Sequence, residues 1–178
     1  VSVTPPRTLA DIDWTTWRAK DPATLVFVVK DGRILLIRKK RGLGAGKING
    51  PGGRLENGER PLEGAVREMQ EELLATPLDV RYAGENLFQF VDGYSIHVFV
   101  FLASDIDGVP TETDEADPLW TPLDRIPYEE MWEDDPLWLP HVLAGRGFVG
   151  RFLFDGDVML DEHVEVLPAP PAEPPPLP

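Results

Sequence analysis

The chain has 178 residues, enough for one domain of ordinary size with modest extensions, and 42% of them are hydrophobic, which excludes a disordered chain. It contains no cysteine, so disulfides and thiolate metal sites are excluded, and no apolar run reaches the ~18 residues that a bilayer span requires. The net charge of −14, from 17 basic and 31 acidic residues, repels polyanions at long range and argues against duplex nucleic acid as a partner.

Residues 1–22 are polar, with apolar positions at Leu9, Ile12, Trp14 and Trp17. They read as an N-terminal extension with one short helix, its two tryptophans docked on the body of the protein. The first seven residues lack the basic-then-apolar order of a secretory signal, and a cytoplasmic location is expected. Residues 24–30 and 33–38 are β-branched runs on either side of Asp31-Gly32, which predicts a β-hairpin. Residues 42–53 form a glycine-rich loop. Leu62, Ala65, Val66, Met69 and Leu73 recur at spacings of three and four, which predicts a helix over 61–74 with Pro61 in its first turn.

Residues 80–91 and 94–102 alternate around Asp92-Gly93 and predict a second hairpin. Residues 104–118 read as an acidic, turn-rich loop. A short strand follows at 119–123, placed at an edge or an end by Pro122. Residues 127–144 read as helical pieces broken by Pro136 and Pro140. A third hairpin is predicted from 148–154 and 158–166 around Asp155-Gly156. Residues 168–178 are proline-rich and predicted to be extended and mobile. Strands and helices thus mix without a regular βαβ alternation. The pattern predicts an α+β sandwich, helices packed on a mixed sheet, with the domain proper at 23–167.

The chemistry concentrates on the predicted helix. Glu68, Glu71 and Glu72 stand at i, i+3 and i+4, so their carboxylates share one face, while Leu62, Ala65, Met69 and Leu73 occupy another. Like charges at this spacing repel, and they fall in the C-terminal half, where the helix dipole disfavours anions. A solvated acidic face is one reading. A hard divalent cation with oxygen ligands, Mg²⁺ or Mn²⁺, is the other. Gly52-Gly53 closes the preceding loop, where backbone can approach a metal or phosphate. Arg67 is suited to fork onto a nearby carboxylate and hold loop to helix.

Gly53, Glu59, Arg67-Glu68 and Glu71-Glu72, at these separations, resemble the Nudix box. The resemblance implies the Nudix fold, an α/β/α sandwich around a mixed β-sheet. It also implies Mg²⁺-dependent hydrolysis of a nucleoside diphosphate linkage. By it, Glu68, Glu71 and Glu72 ligate metal and supply the base, supported by Arg67 and Glu59. Gly52, through its carbonyl, and Glu115 are further metal ligands, and Lys39 meets the phosphates. The family's glycine two residues after the last glutamate is here Leu74, which makes helix termination the point of departure.

Residues 39–53, 131–138 and 147–154 are similar to the family's oxidised purine nucleoside triphosphatases, of 8-oxo-dGTP diphosphatase type. The implied substrate-binding set is Thr24, Lys39, Asn49, Phe88, Phe90, Trp132, Asp134 and Asp135. Asn49 offers donor and acceptor to a base edge. Trp132 offers a stacking surface, and the crowded acids Asp134 and Asp135 are expected to retain a proton between them. Leu43 and Ala116 replace larger residues of that branch and are expected to reshape the pocket. The expected partner is a nucleotide, with no membrane and no duplex nucleic acid, and the expected protein a monomer or homodimer. Another nucleoside diphosphate derivative as substrate, or a nucleotide-binding module without catalysis, are the alternatives.

Overall fold

The computed structural model describes residues 4–177. Strands β1 (Asp21–Lys30) and β2 (Arg33–Lys39) form the first predicted hairpin. Its turn residues Asp31 and Gly32 both take positive φ, 52° and 73°, which matches the twist of the flanking strands. β1 is the hub of a nine-stranded mixed sheet. It runs parallel to β7 (Ser95–Ala103) and antiparallel to β2 at one end and to β4 (Gly52–Arg54) at the other. Beyond β7 lie β6 (Arg81–Phe90), β10 (Gly147–Asp155) and β11 (Val158–Leu167). On the other side β2 pairs with β3 (Ile48–Asn49) and β9 (Ala116–Pro122).

Side chains alternate across β1, and each face meets one helix. Val26 and Val28 pack with Ala65, Met69 and Leu73 of α1 (Pro61–Leu73), together with Phe99 and Phe101. Phe27 packs with Trp138, Leu139 and Val142 of α2 (Asp135–Leu143), together with Phe148 and Phe152. This is the predicted α/β/α sandwich. Ile34, Leu35, Leu36 and Ile37 of β2 are all buried, because β2 contributes to both layers. No helix among the described residues is long and apolar enough to cross a membrane.

Several local expectations are revised. The acidic loop 104–118 contains a strand, β8 (Asp105–Asp107), paired with β5 (Thr76–Leu78); neither was predicted, because three residues carry no readable period. β9 starts at Ala116 rather than 119, since its ladder with β2 runs from Arg33 opposite Pro122 to Lys39 opposite Ala116. Pro140 does not break α2: the helix runs through it. Burial of Trp138, Leu139 and Val142 offsets the one backbone hydrogen bond that proline cannot make. α1 ends at Leu73, and Leu74 takes the left-handed conformation itself, at φ 56° and ψ 33°.

Residues 9–17 pack as a flap on the sheet face beside α1. A 3₁₀ turn at Leu9–Asp11 is held by the Leu9 N–H donating to Asp161 Oδ2 at 2.8 Å. The Trp17 indole N–H donates to Gln89 Oε1 at 2.9 Å, and the Arg151 guanidinium lies 5.6 Å over the Trp14 ring.

Candidate active site

α1 presents Glu68 and Glu72 inward and Glu71 outward: the first two are buried, the third is half exposed. Arg67 organises them. Its guanidinium forks onto Glu59, Nε to Oε1 at 2.7 Å and Nη2 to Oε2 at 2.9 Å. Nη1 donates to Glu68 at 3.0 Å and to Glu71 at 3.1 Å, and Nη2 reaches the Arg54 carbonyl. Loop and helix are thereby tied through one cation. Gly53 is required at its position. A Cβ there would stand 2.5 Å from the Glu68 carboxylate, and one on Gly52 would collide with the Thr24 carbonyl of β1.

The electrostatics follow from burial. Glu59 is held below the usual carboxylate range by the Arg67 hydrogen bonds. Burial raises Glu68, and burial together with the neighbouring Glu68 pushes Glu72 up to about 8. Glu72 Oε2 is buried without a protein partner. Lys39 is lowered by burial, against the opposing pull of Glu72 and Glu68. Glu115 stands close enough to raise both Glu68 and Glu72, while its own carboxylate is drawn to Arg41 Nη2 at 2.5 Å. Among the described residues no three carboxylates converge at metal-binding distance. Arg67 pairs with Glu68 and Glu71, and Arg41 with Glu115.

The glycines of β4 border a cleft on the α2 face of the sheet. Thr24, Lys39, Asn49, Phe88, Phe90, Trp132, Asp134 and Asp135 all line it, with Gly52 and Gly53 at the end nearest α1. Every residue of the expected substrate set therefore meets in one cavity. The Thr24 hydroxyl is buried there without a protein partner, and Asn49 Oδ1 accepts the Gly50 N–H at 2.8 Å. Trp132 is held edge-on to Phe90 and Phe154, at 6.4 and 5.6 Å between ring centroids. Gly44 lies against the Trp132 indole, where a Cβ would come within 2.8 Å of Nε1.

Asp134 and Asp135 are both 2% exposed. Asp134 Oδ2 accepts the Trp138 indole N–H at 2.8 Å, and its Oδ1 has no protein partner. Although Asp134 precedes α2, its side chain makes no capping hydrogen bond. Burial lifts Asp134 to about 6, and burial plus the adjacent Asp134 lifts Asp135 well above the usual range.

Two expectations about pocket shape divide. Leu43 lines the cleft, whereas Ala116 is fully buried in the α1-side core and does not reach it. Phe154, Ile96 and Val98 also line the cleft and were not anticipated. They come from sheet strands where a buried apolar residue carries no mark distinguishing pocket wall from core. Trp138 is fully buried and stacks on Phe148 at 5.1 Å, so its ring serves the core while its N–H serves Asp134.

The NUDIX domain family matches residues 19–142. The chain is 43% identical over 141 residues to the oxidized purine nucleoside triphosphate hydrolase of Danio rerio, covering 79% of this chain and 90% of that protein. It is 41% identical over 139 residues to the Mus musculus protein of the same name, covering 77% and 89%. Among solved structures, the MutT protein of Bacillus halodurans superimposes with a TM-score of 0.74 at 27% identity, covering 82% of this chain and 97% of that one.

Proposed function

The chain belongs to the Nudix family of hydrolases, and from that premise we propose that it hydrolyses oxidised purine nucleoside triphosphates such as 8-oxo-dGTP to the nucleoside monophosphate and pyrophosphate. The observation that carries this reading is one cleft that runs from Lys39, Gly52 and Gly53 to the Asp134–Asp135 pair, with Gly53 packed against the Glu68 carboxylate behind it. Relatives that cover most of the chain at 41–43% identity bear the corresponding name.

Mg²⁺, or Mn²⁺, suits the donor set. The groups are all oxygens, Glu72 Oε2 lacks a protein partner, and the charge of Glu115 raises the proton affinity of both Glu68 and Glu72. Glu68, Glu71, Glu72 and Glu115, with the Gly52 carbonyl, are the residues that would hold it. When bound, the cation neutralises the phosphates and makes a water nucleophilic. Lys39 meets the phosphate chain from β2. Arg67 fixes Glu68 and Glu71 relative to the loop. A glutamate of this cluster accepts the proton as the water oxygen bonds to phosphorus and the bridging P–O bond breaks.

At the other end of the cleft, Trp132 offers a face to a purine, with Phe88 and Phe90 as walls. Asn49 supplies donor and acceptor to the base edge. The Asp134–Asp135 pair offers a carboxyl proton and a carboxylate acceptor together, so it can match an oxidised purine edge whose donors and acceptors are rearranged. The test is steady-state hydrolysis with Mg²⁺ of 8-oxo-dGTP, dGTP and ADP-ribose in parallel. The highest kcat/KM is expected for 8-oxo-dGTP. Absence of turnover of both triphosphates, or a preference for ADP-ribose, overturns the reading.

A further inference from the structure

Two parts of the chain play no role in that cleft: the tryptophan-bearing N-terminal segment and the proline-rich end. They meet. On the sheet face beside α1, a cavity of about 840 Å³ is bounded by Trp14, Trp17 and His97, by loop residues 55–59, and by Pro175, Pro176 and Leu177. Seven of the last twelve residues are proline. Such a segment favours an extended polyproline helix without internal hydrogen bonds, and loses little conformational entropy on docking. Grooves lined by aromatic rings are the surfaces that recognise it.

Trp14 and Trp17 have the attributes of such a surface. Their rings stand 5.3 Å apart at 45°. Both indole N–H groups are engaged within the protein, Trp14 with the Leu9 carbonyl at 3.1 Å and Trp17 with Gln89. The rings are thus fixed, with the Arg151 guanidinium over one face of Trp14, and the faces left uncovered are what remains for contact. The path of the tail is also built in. Beyond β11 the chain crosses Gly147 so closely that a Cβ there would lie 2.7 Å from Pro170 Cα. From that crossing the five residues to Pro175 span roughly 15 Å in a polyproline helix.

We propose that Trp14 and Trp17 form a polyproline-docking surface whose occupant is this chain's own segment 174–177, held in cis across the outer face of the loop that carries Glu59. The catalytic loop is then covered on one side by α1 and on the other by both chain ends. The inference does not depend on which nucleotide is hydrolysed.

The absence of cysteine makes a direct test simple. Leu177→Cys is labelled with bimane, a fluorophore quenched by tryptophan at near contact. Fluorescence is compared with the same labelled chain carrying Trp14→Phe and Trp17→Phe. Dequenching of at least twofold is expected in the double variant, with quenching of the parent independent of protein concentration. A free peptide of residues 168–178, titrated into the tryptophan-intact chain, is expected to restore fluorescence by displacement, which keeps the test decisive if the double variant misfolds. Unchanged emission in a folded double variant, or no effect of the peptide, overturns the proposal. Quenching that grows with protein concentration also overturns it, because the occupant is then the tail of a second copy.

Discussion

Arg67 binds both oxygens of Glu59 while its remaining N–H groups reach Glu68 and Glu71. One planar cation thus sets the distance between the glycine-rich loop and two of the carboxylates on α1. A lysine carries the charge without the fork. Arg67→Lys is expected to lower kcat about 10–100-fold with little change in KM, the range seen when a residue orienting metal ligands is lost. Steady-state kinetics with the folded variant check this, and an unchanged kcat would refute the positioning role.

Glu72 is the most deeply placed of the three glutamates, and its Oε2 has no protein partner. Mg²⁺ is therefore expected to stabilise the folded chain, by ~2.7 kcal/mol at a hundredfold excess over Kd. Glu72→Gln removes a ligand charge. It should abolish most of the Mg²⁺-dependent rise in Tm and lower hydrolysis at least ~100-fold. Thermal melts with Mg²⁺ and with EDTA distinguish this outcome from simple misfolding.

Asp134 gives a pH signature. Its carboxyl is lifted to about 6 in the fold, from an ordinary value of 3.8. Because the folded value lies above the unfolded one, the associated stability is present below about pH 4 and is lost as pH rises through 6. Asp134→Asn preserves the acceptor for Trp138 and replaces the titrating proton with a permanent N–H. The variant should gain stability relative to the parent between pH 4 and 7. It should also lose the pH dependence of its preference between oxidised and unmodified purines. Urea midpoints and kcat/KM ratios measured at the two ends of that range test both statements.

Leu74 is an exposed leucine in a conformation that glycine adopts without strain. Leu74→Gly is expected to stabilise the protein by about 1 kcal/mol, which is roughly 2–4 °C in Tm, with no effect on kcat. Calorimetry decides it.

Asn86 is completely buried on β6, with neither its amide nitrogen nor its oxygen paired within the protein. Asn86→Val removes that burden and suits a strand. A gain of about 1–3 kcal/mol is expected, read from the denaturation midpoint, and a loss would show that the amide is paired through solvent.

These outcomes bear on how far a sequence exposes its site. Glu68, Glu71 and Glu72 were legible as a cluster because helical periodicity is local, but the expected single face divides: Glu68 and Glu72, four apart, are buried together, while Glu71 turns outward. Glu59 and Arg67 were legible through their spacing to that helix. Asp134 and Asp135 were visible as a pair, but burial, which gives them their altered proton affinity, depends on Trp138 and the whole α2 layer. The pairing of β5 with β8 and the union of Arg41 with Glu115 join residues roughly 30 and 74 positions apart and left no local trace. Pro140 misled because local propensity disfavours proline inside a helix, and packing overrode it.

β1 carries a last consequence. Ala23, Thr24 and Leu25 pair with Arg54, Gly53 and Gly52 on one side and with Val98, Phe99 and Val100 on the other. The backbone that completes the middle of the sheet is thus the same backbone that places the glutamate-facing glycines. The glycine turn cannot swing out like a lid without breaking its three-residue ladder with β1 and the Val26 N–H bond to the Pro51 carbonyl. Its amides should therefore exchange with solvent more slowly than those of the exposed loops, which native-state hydrogen exchange reads directly.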